Sequence, residues 1–96
     1  MDFKIQSDTL YTCDKYGNVI RRIGNSVSSA NFSEKEKLFV VTYIKGTVET
    51  LDVYGNRVRF ICEGAVDAKF QDNNILVRTK SGNQLRDRYG NLIRRF

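Results

Sequence analysis

The sequence predicts an all-β protein: a single domain over residues 1–96 made of three tandem antiparallel β-meander repeats, about eleven short strands in all. Three observations predict it. First, the ten-residue pattern Asp-x-Tyr-Gly-Asn-x-apolar-Arg-x-apolar occurs without gaps at Asp14–Ile23, Asp52–Ile61 and Asp87–Phe96. The copies begin at positions 14, 52 and 87, hence 38 and 35 residues apart, and share five identities; a period of that size marks a repeated supersecondary unit. Second, the segments between copies are short apolar or alternating runs bounded by Gly, Asn and Ser, with no 3.6-residue periodicity. Third, the chain has no proline, as suits a sheet with few interruptions. The repeats divide at approximately 1–25, 26–63 and 64–96.

In chain order, Phe3 to Gln6 reads as the first strand of an incomplete copy with room for three strands. Gly17-Asn18 reads as a two-residue type II′ hairpin turn, Gly supplying the positive φ. Counting outward sets Tyr16 opposite Val19, Lys15 opposite Ile20 and Asp14 opposite Arg21. The same count sets Asp52 against Arg59 and Asp87 against Arg94, so each copy is expected to hold a structural cross-strand Asp–Arg pair.

The second copy starts with the strand Val27 to Phe32, followed by Ser33-Glu34-Lys35-Glu36-Lys37, read as a charged hairpin loop rather than a helical turn. Leu38 to Ile44 is apolar on both faces, as a strand covered from both sides would be. It turns at Gly46-Thr47 into Val48 to Asp52. In the third copy Val66 to Phe70, Ile75 to Lys80 and Gln84 to Asp87 take the same places, with Ser81-Gly82-Asn83 between the last two. Each complete unit is thus an Ala-x-Phe strand, a central apolar strand, a strand ending in Asp and a strand carrying Arg. A second alignment of the first copy, Lys4-Ile5-Gln6 on Lys69-Phe70-Gln71 and Gly17-Asn18 on Gly82-Asn83, is equally open at this level.

Several chemistries lose their usual members. The chain has no histidine, which removes imidazole bases, catalytic triads and most zinc sites. A carboxylate opposite an arginine stays ionised rather than poised for proton transfer, and Asp67, Asp72, Glu34 and Glu36 have no partner constellation. No catalytic residue, cofactor or metal site is assigned, and an enzyme is not expected. Cys13 and Cys62 are the only cysteines; they read as reduced, half-buried strand residues. The glycines join strand to strand, so none opens a phosphate-binding helix. No apolar run reaches the roughly 20 residues of a membrane span, and the N-terminal residues lack the build of a signal peptide. A cytoplasmic protein is the expectation.

The formal charge is +5. Arg22, Arg57, Arg88 and Arg95 have no partner in this scheme and lie on or beside the last strand of a unit. With Tyr16, Tyr54 and Tyr89 at the turns, they form the candidate binding surface for phosphates or acidic protein. Charged edge strands also serve simply to prevent edge-to-edge aggregation.

Four-strand meanders at this period, with a Gly turn before the outer strand, resemble the blades of β-propellers. The stretch from Gly82 through Asp87 to Gly90 resembles the G-x-x-x-x-D-x-x-G segment of quinoprotein-type blades, though without their tryptophan. Propellers usually close with four to eight blades, and this chain holds fewer than three complete ones. The resemblance implies a stack with apolar sheet faces open at both ends, which neighbours would cover; two chains could close a six-bladed ring. The leading expectation is therefore a non-enzymatic binding or scaffolding module whose partner is a second copy, as a dimer, or another protein. The alternatives are a nucleic-acid-binding protein using its arginine edges and a small lectin-like sugar binder.

Overall fold

The computed structural model describes residues 1–96 and contains only strands and turns. Eleven strands form three antiparallel sheets. The first is β1 (Asp2–Gln6), β2 (Thr9–Cys13) and β3 (Val19–Gly24). The second is β4 (Val27–Ser33), β5 (Leu38–Tyr43), β6 (Val48–Asp52) and β7 (Arg57–Cys62), and the third is β8 (Ala65–Gln71), β9 (Asn74–Thr79), β10 (Gly82–Arg86) and β11 (Leu92–Arg95). Neighbours in sequence are neighbours in each sheet, so every sheet is a meander, or blade, and the blades stack into a body of 39 × 26 × 19 Å.

Burial explains the stack. One apolar cluster, Leu10, Ile23, Val27, Phe39, Val41 and Leu51, lies between the first and second blades, with Phe3, Ala30, Phe32 and Tyr43 packed against it. Another, Val40, Val48, Ile61, Cys62, Ala68, Ile75 and Val77, lies between the second and third. The alternation of β5 sends Phe39 and Val41 one way and Val40 the other, so its run is apolar on both faces because blades cover both. Phe39 is fully buried, meeting Phe3 edge-on at 5.4 Å and Phe32 at 4.7 Å between ring centroids.

Main-chain hydrogen bonds repeat at the junctions. The Val27 N–H donates to the Asp8 carbonyl (2.8 Å) and the Ala65 N–H to the Gly46 carbonyl (3.0 Å), tying the turn of one blade to the first strand of the next. This equivalence settles the register of the first copy: β1, β2 and β3 correspond to β5, β6 and β7. The first blade lacks a counterpart of β4 and β8, leaving β1 with an unpaired edge. Ser33 to Lys37 is a hairpin connection closed by one helical-type turn, in which the Lys37 N–H donates to the Ser33 carbonyl and the Glu36 N–H to the Ser33 hydroxyl. Both cysteines are free and buried, more deeply than the expected half-burial, and burial pushes the Cys62 thiol up.

Two expectations fail on register. Gly17-Asn18 is not a two-residue turn. Asp14 and Asn18 flank the three-residue loop Lys15-Tyr16-Gly17, with Gly17 N–H donating to the Asp14 carbonyl and Asp14 N–H to the Asn18 carbonyl. This is a type I turn followed by a left-handed Gly, at φ +84, and it recurs at Asp52–Asn56 and Asp87–Asn91. With a β-bulge one step beyond each turn, the pairing sets Arg21 opposite Thr12, Arg59 opposite Thr50 and Arg94 opposite Leu85. The Asp14–Arg21, Asp52–Arg59 and Asp87–Arg94 cross-strand pairs do not form. Likewise Gly82 belongs to β10, paired with Thr79, so that turn is Lys80-Ser81.

The end faces also differ from expectation. On the first blade the outward row is Lys4, Tyr11 and Arg22, and on the third the outward face carries an Arg78–Asp67 ion pair at 2.6 Å. The ends are mixed rather than apolar. Exposed apolar side chains recur along the last strand of each blade, at Val19 and Ile20, Val58 and Phe60, and Leu92 and Ile93, while Ile5, Ile44, Val66 and Phe96 are exposed elsewhere.

Candidate functional site

The turn aspartates act on the backbone. Asp14 accepts from the Tyr16 and Asn18 N–H groups at 2.9 Å each through Oδ1, and from the Asn18 side-chain amide at 3.2 Å through Oδ2. Asp52 and Asp87 repeat all three bonds. A short acidic side chain is suited to this because it can reach N–H groups two and four residues on, which the hairpin leaves unpaired. The Asn18 N–H, followed by the Tyr16 N–H, holds the Asp14 carboxyl below the usual carboxylate range. At Asp52 and Asp87 desolvation pushes upward, but the N–H groups of Asn56 and Tyr54, and of Asn91 and Tyr89, outweigh it and the carboxyls are again lowered. These groups stay ionised as structural acceptors.

Freed from the aspartates, the arginines reach into the next blade. The Arg21 guanidinium lies over the Tyr54 ring, 5.4 Å from its centroid, and Arg59 lies over Tyr89 at the same distance. Arg59 Nε also donates to the Tyr89 carbonyl at 3.3 Å. Beneath each stacked tyrosine the turn glycine presses on the preceding blade. A β-carbon at Gly55 would stand 2.9 Å from the Ile23 carbonyl oxygen, and one at Gly90 2.9 Å from that of Ile61. Only glycine fits a positive φ at that approach. Each junction is thus a clasp: outer strand and arginine of one blade, Tyr-Gly turn of the next.

The candidate binding residues separate on this geometry. Tyr54 and Tyr89 each carry an arginine of the preceding blade over the ring and remain 64% and 59% exposed, whereas Tyr16, 77% exposed, has only the Lys15 ammonium near its ring at 5.2 Å. Arg57 pairs with Glu49 at 3.3 Å, and Arg88 forms a two-pronged pair with Glu36 at 2.7 and 3.2 Å, so neither is the unpartnered cation the sequence suggested. Arg22 and Arg95 have no ion-pair partner and lie at equivalent places on the first and third blades. Arg94 has no following tyrosine and lies over Phe96, 4.9 Å from the ring centroid.

The sequence reading missed the arginine-to-tyrosine clasp. Its signal was present, because Tyr and Arg recur at fixed places in every copy, but the partner lies in the following copy rather than across the hairpin. A shallow cleft of about 430 Å³ lined by Ser29, Asn31, Asp67, Lys69 and Arg78, among others, opens between β4 and β8. Its charged walls include the Arg78–Asp67 pair.

No protein-family model and no curated protein matches the chain. Among solved structures it is similar to BamB from Moraxella catarrhalis, a β-propeller protein, with a TM-score of 0.68 at 12% sequence identity. The match covers 99% of this chain and 34% of that one, so the chain spans about a third of its neighbour's length. The likeness establishes the fold: these are propeller-type blades. No helix is long and apolar enough to cross a membrane.

Proposed function

We propose that this protein is a non-enzymatic binding or scaffolding module that associates with itself. The observation that carries the reading is the apolar surface on the last strand of each blade. Ile20, Val58 and Ile93 are all more than half exposed, at 63%, 51% and 52%, and sit beside Val19, Phe60 and Leu92. Repeated apolar exposure of this kind on a small domain marks a contact surface. The polar groups support binding over catalysis, since Asp14, Asp52 and Asp87 are consumed by turns and most arginines by clasps or ion pairs. The test is absolute mass by light scattering after size exclusion, at low and high salt. An oligomer that resists salt is expected from apolar contact; a single-chain mass up to the highest soluble concentration would overturn self-association.

A second reading, nucleic-acid binding, draws on one observation: Arg22 and Arg95 lack ion-pair partners in a chain of net charge +5. It requires affinity for a labelled oligonucleotide that falls steeply with salt and is lost on charge reversal at Arg22 and Arg95. Binding indifferent to both would remove it.

A further inference from the structure

The chain makes the same contact with itself twice and carries one more copy of each half that no other blade covers: the Asp14–Asn18 turn and the strand of Arg94, whose guanidinium lies over Phe96. In the first blade, Phe3, Thr12 and Arg21 form one cross-strand row, and in the second Val40, Thr50 and Arg59 form the same row. Thr12 and Thr50 are buried under the next blade, and their hydroxyls donate to the Arg21 and Arg59 carbonyls. Each row ends on the following blade's tyrosine, above the glycine that seats on Ile23 or Ile61. In the third blade the corresponding row is Leu76, Leu85 and Arg94, and no turn covers it. At the other extreme the Asp14–Asn18 turn has its carboxylate bonds in place, yet Tyr16 is exposed and a β-carbon at Gly17 would meet nothing within 4 Å.

We infer that a second copy of this chain docks head to tail, its Tyr16-Gly17 turn seating on β11 so that Arg94 of the first copy stacks on Tyr16 of the second. The proposal rests on the self-association reading and names its surfaces. The occupant is a second copy because the turn carries the Tyr-Gly pair and the strand the arginine that meet at both internal junctions, with Leu85 in the place of the buried threonine and Phe96 in the place of Ile23 and Ile61. Charge agrees with it. At the second junction Glu36, in the β4–β5 loop, holds Arg88 of the following turn. Asp72 lies in the corresponding β8–β9 loop and is exposed, and the residue equivalent to Arg88 in the open turn is Lys15, also exposed. The docked copy would bring these opposite charges to the same place. Because turn and strand are different surfaces, the interface is heterologous, and it closes into a ring or extends as a chain of copies.

Two exposed substitutions separate the halves. Gly17→Asn blocks the turn while leaving its backbone tolerable, since Asn visits the left-handed region and a β-carbon there meets nothing within 4 Å in one chain. Arg94→Glu spoils the strand. Each variant alone is expected to run as a single chain, a loss of association of at least tenfold, at concentrations where the unaltered protein is oligomeric. Mixed, they are expected to restore a two-chain species, because the intact turn of Arg94→Glu fits the intact strand of Gly17→Asn. An unaltered protein that stays a single chain overturns both this docking and self-association. An oligomer whose mass is unmoved by either variant overturns the docking alone, and so does a mixture that stays dissociated.

Discussion

Asp52 shows how one side chain can carry a turn: three hydrogen bonds converge on its carboxylate, from Tyr54 N–H, Asn56 N–H and the Asn56 amide. Its carboxyl, like those of Asp14 and Asp87, is held below the ordinary aspartate value. A carboxyl lowered on folding contributes stability that is complete above the unfolded value, about 4, and is lost as pH falls through the folded value. The urea midpoint is therefore expected to hold from neutral pH down to about 4 and then to fall. Asp52→Asn should flatten part of that acid limb, and an unchanged limb would show that the turn carboxylate is not its source. In the core, Phe39 is fully buried between Phe3 and Phe32. Phe39→Ala should cost about 3–5 kcal/mol, a large part of the 5–15 kcal/mol typical of a small domain, measured as a loss of denaturant midpoint at unchanged slope.

At the scale of the element, the hairpin was legible as a hairpin and illegible as a turn type. Gly followed by Asn suits a two-residue turn, but Asp14 offers the backbone N–H groups of Tyr16 and Asn18 a better acceptor, and the loop lengthens by one residue. The loop also sits earlier, with Asp14 facing Asn18, and together with the bulge between Thr12 and Cys13 this sets Arg21 opposite Thr12 instead of Asp14 and undoes every predicted Asp–Arg pair. The strands themselves were readable because their apolar runs are short and bounded, and β5 was readable as doubly covered because Phe39, Val40 and Val41 are apolar on both faces. The true partner of Arg59 was not readable by counting within a hairpin, since Tyr89 lies 30 residues on. Arg88 was misjudged for the same reason: Glu36, which holds it, is 52 residues away in another blade. With 39% and 24% side-chain exposure, that pair is worth about 1 kcal/mol after solvent screening. A double-mutant cycle with Glu36→Ala and Arg88→Ala should return a coupling of that size, and a coupling of zero would reduce the pair to an incidental surface contact.

Across the whole molecule, three blades are held in file by two clasps, and the repeat that builds the fold leaves one turn and one strand over. The propeller-type architecture follows from the repeat, and the likeness to a BamB structure at a TM-score of 0.68 agrees with it. What the repeat could not reveal is how each blade grips the next. That depends on a glycine with its neighbour's carbonyl where a side chain would be, which is a fact of packing rather than of pattern. The central claim is that the Tyr-Gly turn is the gripping element, and three glycines test it internally. Gly17, Gly55 and Gly90 share nearly the same backbone, with φ of +84, +90 and +90, so replacement by Asn carries the same intrinsic strain at each. They differ in what a β-carbon would meet: open space at Gly17, the Ile23 carbonyl at Gly55 and the Ile61 carbonyl at Gly90. The measurement is the thermal midpoint of Gly17→Asn, Gly55→Asn and Gly90→Asn, at a dilution where the protein is a single chain. Gly17→Asn should lose only that shared strain, while the other two should each lose about 2–4 kcal/mol more, a further shift on the order of 10 °C or more. Equal loss at all three positions would show that the glycines serve only their own turns, and would contradict the clasp.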